Sequence, residues 1–424
     1  MNAFDHEMIQ RLAAIREQGL YRELRRIDSP QGARIQIDGR PLLNFSSNDY
    51  LGLANEPAIK EAMHKAIEQF GAGSGASRLI CGSLAPHHEL EEALAEFKGT
   101  PAALSFSSGY TTALGALGAL LDHDDIVVID KLVHASIIDA VRLCGAKLRV
   151  FAHNDLEALE KILKWADRRV VQSPSSSVKR IIEDKKSKVQ SPTVEVQGRP
   201  RVLIVTESVF SMDGDLALLR EIIELKEKYG AWLMLDEAHA TGLFGQYRRG
   251  LAEAYELADR VEIQMGTLGK ALGAAGGYIC GSRALIDLLV NRARSFIFST
   301  APTPVTAAAA TAAIRLVQSN EGEERRVRLW ARIDQLKSAL VGSNWEVPVV
   351  RSAIVPLMLG AEEKAMRTAA DLRALGIFIP AIRFPTVARG QARLRVTMTA
   401  AHSAADVQTL VSALRTAHLA VQNG

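Results

Sequence analysis

The feature that most limits the possible folds is a series of short, continuous apolar runs separated by helical patterns. The runs lack a polar residue at every second position, which is typical of strands buried on both faces of a parallel sheet. Helices with one apolar face are predicted between or beside them, as over Pro57–Phe70 and residues 216–229. This alternation predicts an α/β fold with a doubly wound, mainly parallel sheet. The predicted strands cover residues 102–106, 126–130, 148–151, 202–206, 232–235, 261–265 and 277–280.

The length of 424 residues exceeds that of one typical core, so more than one domain is expected. We predict an N-terminal helix and arm over residues 1–50, with the helix at 4–26, and a large cofactor-binding domain over 51–301. A smaller C-terminal α+β domain is predicted over 302–424. Residues 165–200 are rich in Ser and Lys and have almost no apolar face, so we expect a flexible insertion there.

Composition and charge argue against several classes of protein. A formal net charge of +3 is too small to suggest a nucleic-acid partner. No apolar run approaches the ~20 residues that a membrane span needs. The three cysteines, Cys81, Cys144 and Cys280, are far apart, which argues against a metal site and a disulfide framework. Together with an acidic N-terminus that is unlike a signal peptide, this favours a cytoplasmic location.

One lysine, Lys270, lies among glycines and small residues between two predicted strands. A lysine is costly to bury unless chemistry uses it, and the glycines allow a large ligand to approach the backbone. Thr267, three residues earlier, is close enough to reach the same ligand. Lys270 is therefore either a nucleophile that forms a Schiff base or a lysine in a polar loop that reaches solvent.

Polar residues follow four of the predicted strands, at the ends where ligands collect in open α/β sheets. Asp236 could instead simply cap the next helix, and a lone histidine more often packs than catalyses. A Ser-Ser-Gly sequence at a helix start is suited to binding an anion. Agreement among the strand ends favours one shared crevice. The residues are Ser108 with Gly109, His134, Asp236 with His239, and Thr267 with Lys270.

Eleven motifs, in order through nearly the whole chain, resemble those of the fold-type I, pyridoxal-phosphate-dependent α-oxoamine synthases. The resemblance implies pyridoxal 5′-phosphate (PLP) as the cofactor and a homodimer with shared active sites. The motifs are NFSSNDYLGL (44–53), GSGASR (73–78), HHELE (87–91), SSGY (107–110), LVHAS (132–136), FAHND (151–155), ESVFSMDGD (207–215), LDEAHATG (235–242), GTLGKALG (266–273), FSTAPTP (298–304) and ARLRVTMTAAH (392–402).

The resemblance also implies catalytic roles for four residues. Lys270 would hold PLP as a Schiff base and later move protons at the substrate Cα. Asp236 would pair with the pyridine nitrogen and keep it protonated, which makes the ring an electron sink. His239 would bond the phenolic oxygen of PLP, and His134 would stack on the ring face.

The remaining site residues that the resemblance implies bind the cofactor or the substrates. Arg22 matches a position near the acyl thioester, and Arg395 matches the residue that would clamp the amino acid carboxylate bidentately. Asn48 and Thr386 match other substrate contacts. Further cofactor contacts would come from the Gly109 and Tyr110 amides and Thr267 at the phosphate, from Ser211, and from Ser299 and Thr300 across the dimer interface.

The activity that the resemblance implies is the condensation of an amino acid with an acyl thioester. We expect L-alanine and a pimeloyl thioester, and the sequence leaves coenzyme A and acyl-carrier protein open as the carrier. Within the family, a glycine C-acetyltransferase or a serine palmitoyltransferase is the alternative. A rival of another class is a catalytically silent, cofactor-free subunit of a heterodimer. The presence of Lys270, Asp236 and His239 counts against that rival.

Overall fold

The computed structural model describes residues 1–172 and 200–422. Its internal contacts divide the chain into a large unit, of residues 48–331 and 351–353, and a small unit, of residues 1–47, 332–350 and 354–424. The N-terminal arm thus belongs to the same unit as the C-terminal residues. Of the predicted insertion at 165–200, residues 165–172 complete a helix, and residues 173–199 lie outside the described part of the chain.

Thirteen strands form three sheets within the described residues. Most lie within a residue or two of the predicted runs. They are β1 (Arg34–Ile37), β2 (Arg40–Asn44), β3 (Ala102–Phe106), β4 (Ile126–Asp130), β5 (Lys147–Phe151), β6 (Val202–Glu207), β7 (Trp232–Asp236), β8 (Ile263–Thr267), β9 (Gly277–Gly281), β10 (Ile354–Gly360), β11 (Ile377–Phe378), β12 (Ala381–Ile382) and β13 (Ala392–Thr397).

The same part of the chain contains fourteen α-helices and one short 3₁₀ turn at Ala258–Arg260. The α-helices are α1 (Ala3–Glu17), α2 (Pro57–Phe70), α3 (Ala85–Lys98), α4 (Gly109–Leu120), α5 (Ala135–Cys144), α6 (Leu156–Gln172), α7 (Leu219–Lys228), α8 (Leu251–Ala254), α9 (Arg283–Arg292), α10 (Arg294–Ile297), α11 (Pro304–Gln318), α12 (Asn320–Leu340), α13 (Glu362–Ala374) and α14 (Ala404–Gln422).

The large unit contains a seven-stranded sheet in the order β3-β9-β8-β7-β6-β4-β5. Strand β9 runs antiparallel to both β3 and β8, and the other neighbours are parallel. Strands β3, β4, β6 and β9 are buried at every position, which explains why their sequences do not alternate. The mainly parallel, doubly wound sheet is confirmed. The parallel strands β4, β6, β7 and β8 end at one edge of the sheet, where ligands bind in such folds.

Small residues in α4 allow this helix to lie close to its neighbours. A Cβ added at Gly115 would come within 2.8 Å of the Phe106 ring and 2.5 Å of Ser295 Oγ. A larger side chain would therefore push α4 away from β3 and α10. This close packing fixes the position of the first turn of α4, which follows directly from the end of β3.

Helix α11 contributes to the large unit, although the sequence analysis assigns it to the C-terminal domain. It packs against α2 and α3, and its alanines are largely buried in that contact. Small side chains at these positions permit close helix packing, so the division between the units falls at residue 331 rather than 301.

The small unit contains two three-stranded sheets, β1-β2-β11 and β10-β13-β12, with α13 beside the second sheet and α14 packed on α13. Strand β13 is buried at every position, including its two arginines. Helix α1 is shorter than predicted, because Gly19 takes a left-handed conformation with φ of 66° just after its end. Within residues 1–172 and 200–422, no helix has both the length and the apolar character needed to cross a membrane.

Candidate active site

Two carboxyl groups lie side by side at the ends of β6 and β7. Glu207 and Asp236 are paired in the register of these parallel strands, and they are 2% and 6% exposed. Burial raises the pKa of Asp236, while the nearby charges of Lys270 and His134 oppose that rise. The Ala238 amide also donates to Asp236 Oδ1 over 2.9 Å. Asp236 is therefore a buried acid whose charged form depends on cations close to it.

Sequence analysis did not identify Glu207, although the residue begins one of the family motifs. Burial, and then the charge of Asp236, raises the pKa of Glu207 to about 8. Its Oε1 atom has no hydrogen-bond partner among the described residues. With its pKa above 7, Glu207 holds a proton at neutral pH. The available signal was an acid at the end of the continuous apolar run 202–206.

Lys270 follows β8 in a tight turn and meets His239. Its Nζ lies 2.8 Å from His239 Nε2, and His239 is 5% exposed. The Gly273 amide donates to the Lys270 carbonyl over 2.9 Å, and Gly273 has a φ of 59°. A Cβ at Gly273 would come within 2.5 Å of the Ala54 backbone, so only glycine fits there. The lysine predicted to form a Schiff base is thus half-buried and held against a buried histidine.

His134 caps the start of α5 and lies near the same charges. Its Nδ1 is 2.8 Å from Ser136 Oγ. Partial desolvation lowers the pKa of His134, the Asp236 charge raises it, and the Lys270 charge lowers it. These influences place His134 near both Asp236 and Lys270. Because the net effect is a lowered pKa, its imidazole is neutral at pH 7.

The start of α4 and the end of β8 meet at the predicted phosphate site. Ser108 caps α4, and a Cβ on Gly109 would lie 3.9 Å from Thr267 Oγ1. Thr267 Oγ1 donates to the Gly276 carbonyl over 2.9 Å. The Tyr110 side chain is not part of this cluster, because its hydroxyl donates to Asp139 over 2.7 Å. The backbone amides at the start of α4 therefore remain the predicted anion-binding part of the site.

The other predicted cofactor contacts lie in two loops. Ser211 follows β6, in the loop that also contains Asp215. His153 stabilises this loop, because its ring nitrogens are 2.7 Å from Asp215 and 3.1 Å from Asp130. Ser299 and Thr300 line a small cavity together with Ser107, next to the start of α4. Their predicted reach across a dimer interface stays a prediction.

The predicted substrate residues fall in both units. In the small unit, Arg22 Nη2 is 3.5 Å from Thr386 Oγ1. Arg395 lies in β13, is 7% exposed, and donates to Thr397 Oγ1 over 2.9 Å. In the large unit, Asn48 Oδ1 is 3.4 Å from the hydroxyl of Tyr50. The structure thus brings Arg22 and Thr386 together, and it gives Asn48 a neighbour that the sequence analysis missed.

The residues of the large unit fit the binding of PLP. A buried carboxylate, Asp236, is suited to a cationic ring nitrogen. Lys270 offers the amine for a covalent link, and the helix start at Gly109 offers amides for a phosphate. His134, near both charged groups, offers a neutral aromatic ring. Each of these groups lies at or just after the end of a different strand of the seven-stranded sheet.

Comparison with known proteins agrees with the interpretation of the protein as a PLP-dependent enzyme. The chain matches the model of the aminotransferase class I and II family over residues 40–414. It is 43% identical over 403 residues to 8-amino-7-oxononanoate synthase of Geobacter sulfurreducens, with 95% of each chain covered.

Two solved structures are also similar to the chain. A variant of serine palmitoyltransferase from S. paucimobilis with a bound PLP–myriocin aldimine has a TM-score of 0.86 and 28% identity, over 100% of each chain. The crystal structure of 8-amino-7-oxononanoate synthase from Francisella tularensis has a TM-score of 0.71 and 26% identity, over 90% of this chain and 98% of that one. The chain therefore belongs to the aminotransferase class I and II family, and within it to the PLP-dependent α-oxoamine synthases of fold type I.

Proposed function

We propose that this protein condenses L-alanine with a pimeloyl thioester, giving 8-amino-7-oxononanoate, CO2 and the free thiol carrier, as a step of biotin biosynthesis. The observation that supports it most is the full-length similarity to enzymes of that name, at 43% identity to the relative from Geobacter sulfurreducens. The Lys270, His239 and Asp236 cluster supplies the residues that such chemistry needs.

In this proposal each of the site residues of the large unit has a separate role at the cofactor. Bound PLP supplies a conjugated ring that withdraws electrons from the bonds at the substrate Cα. Asp236 would stabilise a cationic ring nitrogen, and the protonated carboxyl of Glu207 beside it would add no second charge. Lys270 holds the cofactor covalently and moves a proton at the substrate Cα. The neutral ring of His134 covers a ring face without adding a charge.

The small unit is proposed to bind the two substrates. Arg395 would fix the carboxylate of L-alanine through its planar guanidinium, which can donate two parallel hydrogen bonds. Arg22 and Thr386 line a cavity of about 1230 Å³ whose wall includes apolar side chains and further arginines, such as Arg25 and Arg383. A cavity of this mixed character suits a thioester with an apolar acyl chain and an anionic carrier. Coenzyme A and acyl-carrier protein are both such carriers.

The experiment that tests the function is a panel assay of the purified, PLP-loaded protein. L-alanine, glycine and L-serine are each paired with pimeloyl, acetyl and palmitoyl thioesters, and release of free thiol and of CO2 is measured. We expect L-alanine with a pimeloyl thioester to give the highest kcat/KM. A preference for L-serine with palmitoyl thioester would overturn the proposal in favour of serine palmitoyltransferase, which the similarity to the S. paucimobilis enzyme makes the second candidate.

A homodimer is part of the proposal, because Ser299 and Thr300 match positions expected to act across an interface. Sedimentation of the loaded protein measures the oligomeric state. A monomer with full turnover would remove both residues from the site.

A further inference from the structure

A buried tyrosine, Tyr50, contacts the histidine that touches the reactive lysine. Tyr50 is fully buried, and its hydroxyl oxygen is 2.5 Å from His239 Nδ1. The opposite ring nitrogen of His239 is the one that lies 2.8 Å from Lys270 Nζ. The hydroxyl also lies 3.4 Å from Asn48 Oδ1. These contacts form a chain of polar groups from Asn48 through Tyr50 and His239 to Lys270.

The backbone around Tyr50 holds its ring in place. The carboxylate of Asp49 accepts from the Leu53 amide over 2.7 Å and from the Ala54 amide over 3.1 Å. The Tyr50 amide donates to the Asn48 carbonyl over 2.8 Å, and Gly52 permits the turn with a φ of 69°. A hydroxyl held by such a turn keeps its place whether or not its partner changes protonation.

The protons on these hydrogen-bonded side chains can be arranged in two ways. A neutral imidazole carries one N–H, and an ammonium group can only donate. While Lys270 carries an ammonium, it donates to His239 Nε2, so Nδ1 carries the proton and donates to the Tyr50 oxygen. The Tyr50 O–H then donates to Asn48 Oδ1. Once Lys270 is consumed in its link to the cofactor, the proton that its ammonium gives up passes to His239 Nε2, the Nδ1 proton is lost to solvent by exchange, and the Tyr50 O–H turns to donate to Nδ1.

We propose that Tyr50 is a positioning residue whose hydroxyl accepts from Nδ1–H before the cofactor binds and donates to Nδ1 afterwards, so that His239 can then carry its proton on Nε2 and donate it to the cofactor beside Lys270. This inference rests on the proposed place of His239 at the cofactor. A hydroxyl suits the task because it both donates and accepts, whereas an amide or a carboxylate at the same place would favour one tautomer. The Tyr50 hydroxyl thereby lets either ring nitrogen of His239 carry the proton.

The test follows the ring nitrogens of His239 by NMR in protein labelled with ¹⁵N-histidine, before and after PLP is added and with no substrate present. The His239 signals are assigned by their loss in His239→Gln. In the unsubstituted protein we expect Nδ1 to be protonated without PLP and Nε2 to be protonated with it. In Tyr50→Phe we expect the change of tautomer to be lost and the dissociation constant of PLP to rise about tenfold, the effect of one unmade hydrogen bond at a buried nitrogen.

Tyr278→Phe is the matched control. Tyr278 is also fully buried in the large unit, and its hydroxyl is 2.9 Å from Thr241 Oγ1. We expect this variant to keep both the change of tautomer and the affinity for PLP.

Either of two results would overturn the inference: the same His239 tautomer with and without PLP in the unsubstituted protein, or an unaltered change of tautomer in Tyr50→Phe. The first result is measured on the unsubstituted protein, so it tests the inference even if Tyr50→Phe does not fold. Both are independent of which amino acid and thioester the enzyme condenses, so a failure of the proposed function is recognised separately in the substrate panel.

Discussion

The buried ion pair of Lys98 and Glu237 gives a prediction whose size can be worked from the structure. Lys98 ends α3, and its Nζ is 2.5 Å from Glu237 Oε2, with both side chains 1% exposed. Lys98 also donates to the Arg249 carbonyl, and Glu237 Oε1 accepts from the Ala252 amide over 2.9 Å. Burial alone would lower the pKa of Lys98, but the Glu237 charge raises it above its usual value. The carboxylate that Lys98 touches therefore holds this lysine in its charged form.

The perturbation is Lys98→Met, which keeps most of the side-chain volume and removes the charge. Glu237 would then be buried without its cation, and breaking a buried pair in this way costs about 3–5 kcal/mol. Lys98→Met with Glu237→Gln removes both charges and keeps an acceptor for the Ala252 amide. We expect the second substitution to recover at least ~1 kcal/mol, within the range of coupling energies between contacting residues.

The assay is urea unfolding of the protein without PLP at one concentration and pH 7, because ligand and protein concentration both shift apparent stability. Lys228→Met is the control, since Lys228 pairs with Glu160 at 2.7 Å on the surface and such pairs are worth about 0–1 kcal/mol. A loss in Lys98→Met no larger than in Lys228→Met would refute the argument. So would a double variant that is no more stable than Lys98→Met.

Three further predictions concern the site. Asp236→Asn should lower turnover by two or more orders of magnitude with the fold intact, because a neutral amide cannot stabilise a cationic ring nitrogen; near-normal kcat would remove Asp236 from the mechanism. Burial lowers the pKa of His153, but the hydrogen bonds that its ring donates to the Asp130 and Asp215 carboxylates outweigh burial and raise this pKa to about 10. The stabilising effect of His153 is therefore complete below its unfolded pKa and is lost as the pH rises toward 10. The stability gap between the unsubstituted protein and His153→Gln, measured by urea unfolding, should therefore shrink from pH 6 to pH 10, and a constant gap contradicts this. Arg395→Lys should weaken L-alanine binding by roughly 1–3 kcal/mol in an absorbance titration while PLP binding is unchanged, and an unchanged constant would point to Arg393 instead.

Much of the large unit could be predicted because its strands are continuous apolar runs. The strands of the seven-stranded sheet are five or six residues long, and the continuous apolar runs predicted their positions to within two residues. The antiparallel direction of β9 could not be seen in that pattern, because a fully buried strand has the same composition in either direction.

The residues that sequence analysis missed are those whose importance depends on a distant partner. Tyr50 meets His239 across 189 positions of the chain, and Lys98 meets Glu237 across 139. Glu207 matters because strand pairing sets it beside Asp236. Helix α11 joins the large unit through contacts with α2 and α3, which no local pattern encodes. Lys270 and Asp236 were found because each follows directly on a strand whose end marks the ligand side of the sheet.

The position of β3 at the edge of the large sheet has a consequence for the order of folding. Among the described residues, its strand partner is β9, with Ala102 paired to Gly281. The ribosome makes β3 and α4 long before it makes β9. The first turn of α4 is therefore held against Thr267 only after the chain has been made as far as residue 281. The predicted anion-binding end of the crevice can thus be completed only after β9 has been made, and it closes a long loop when it forms.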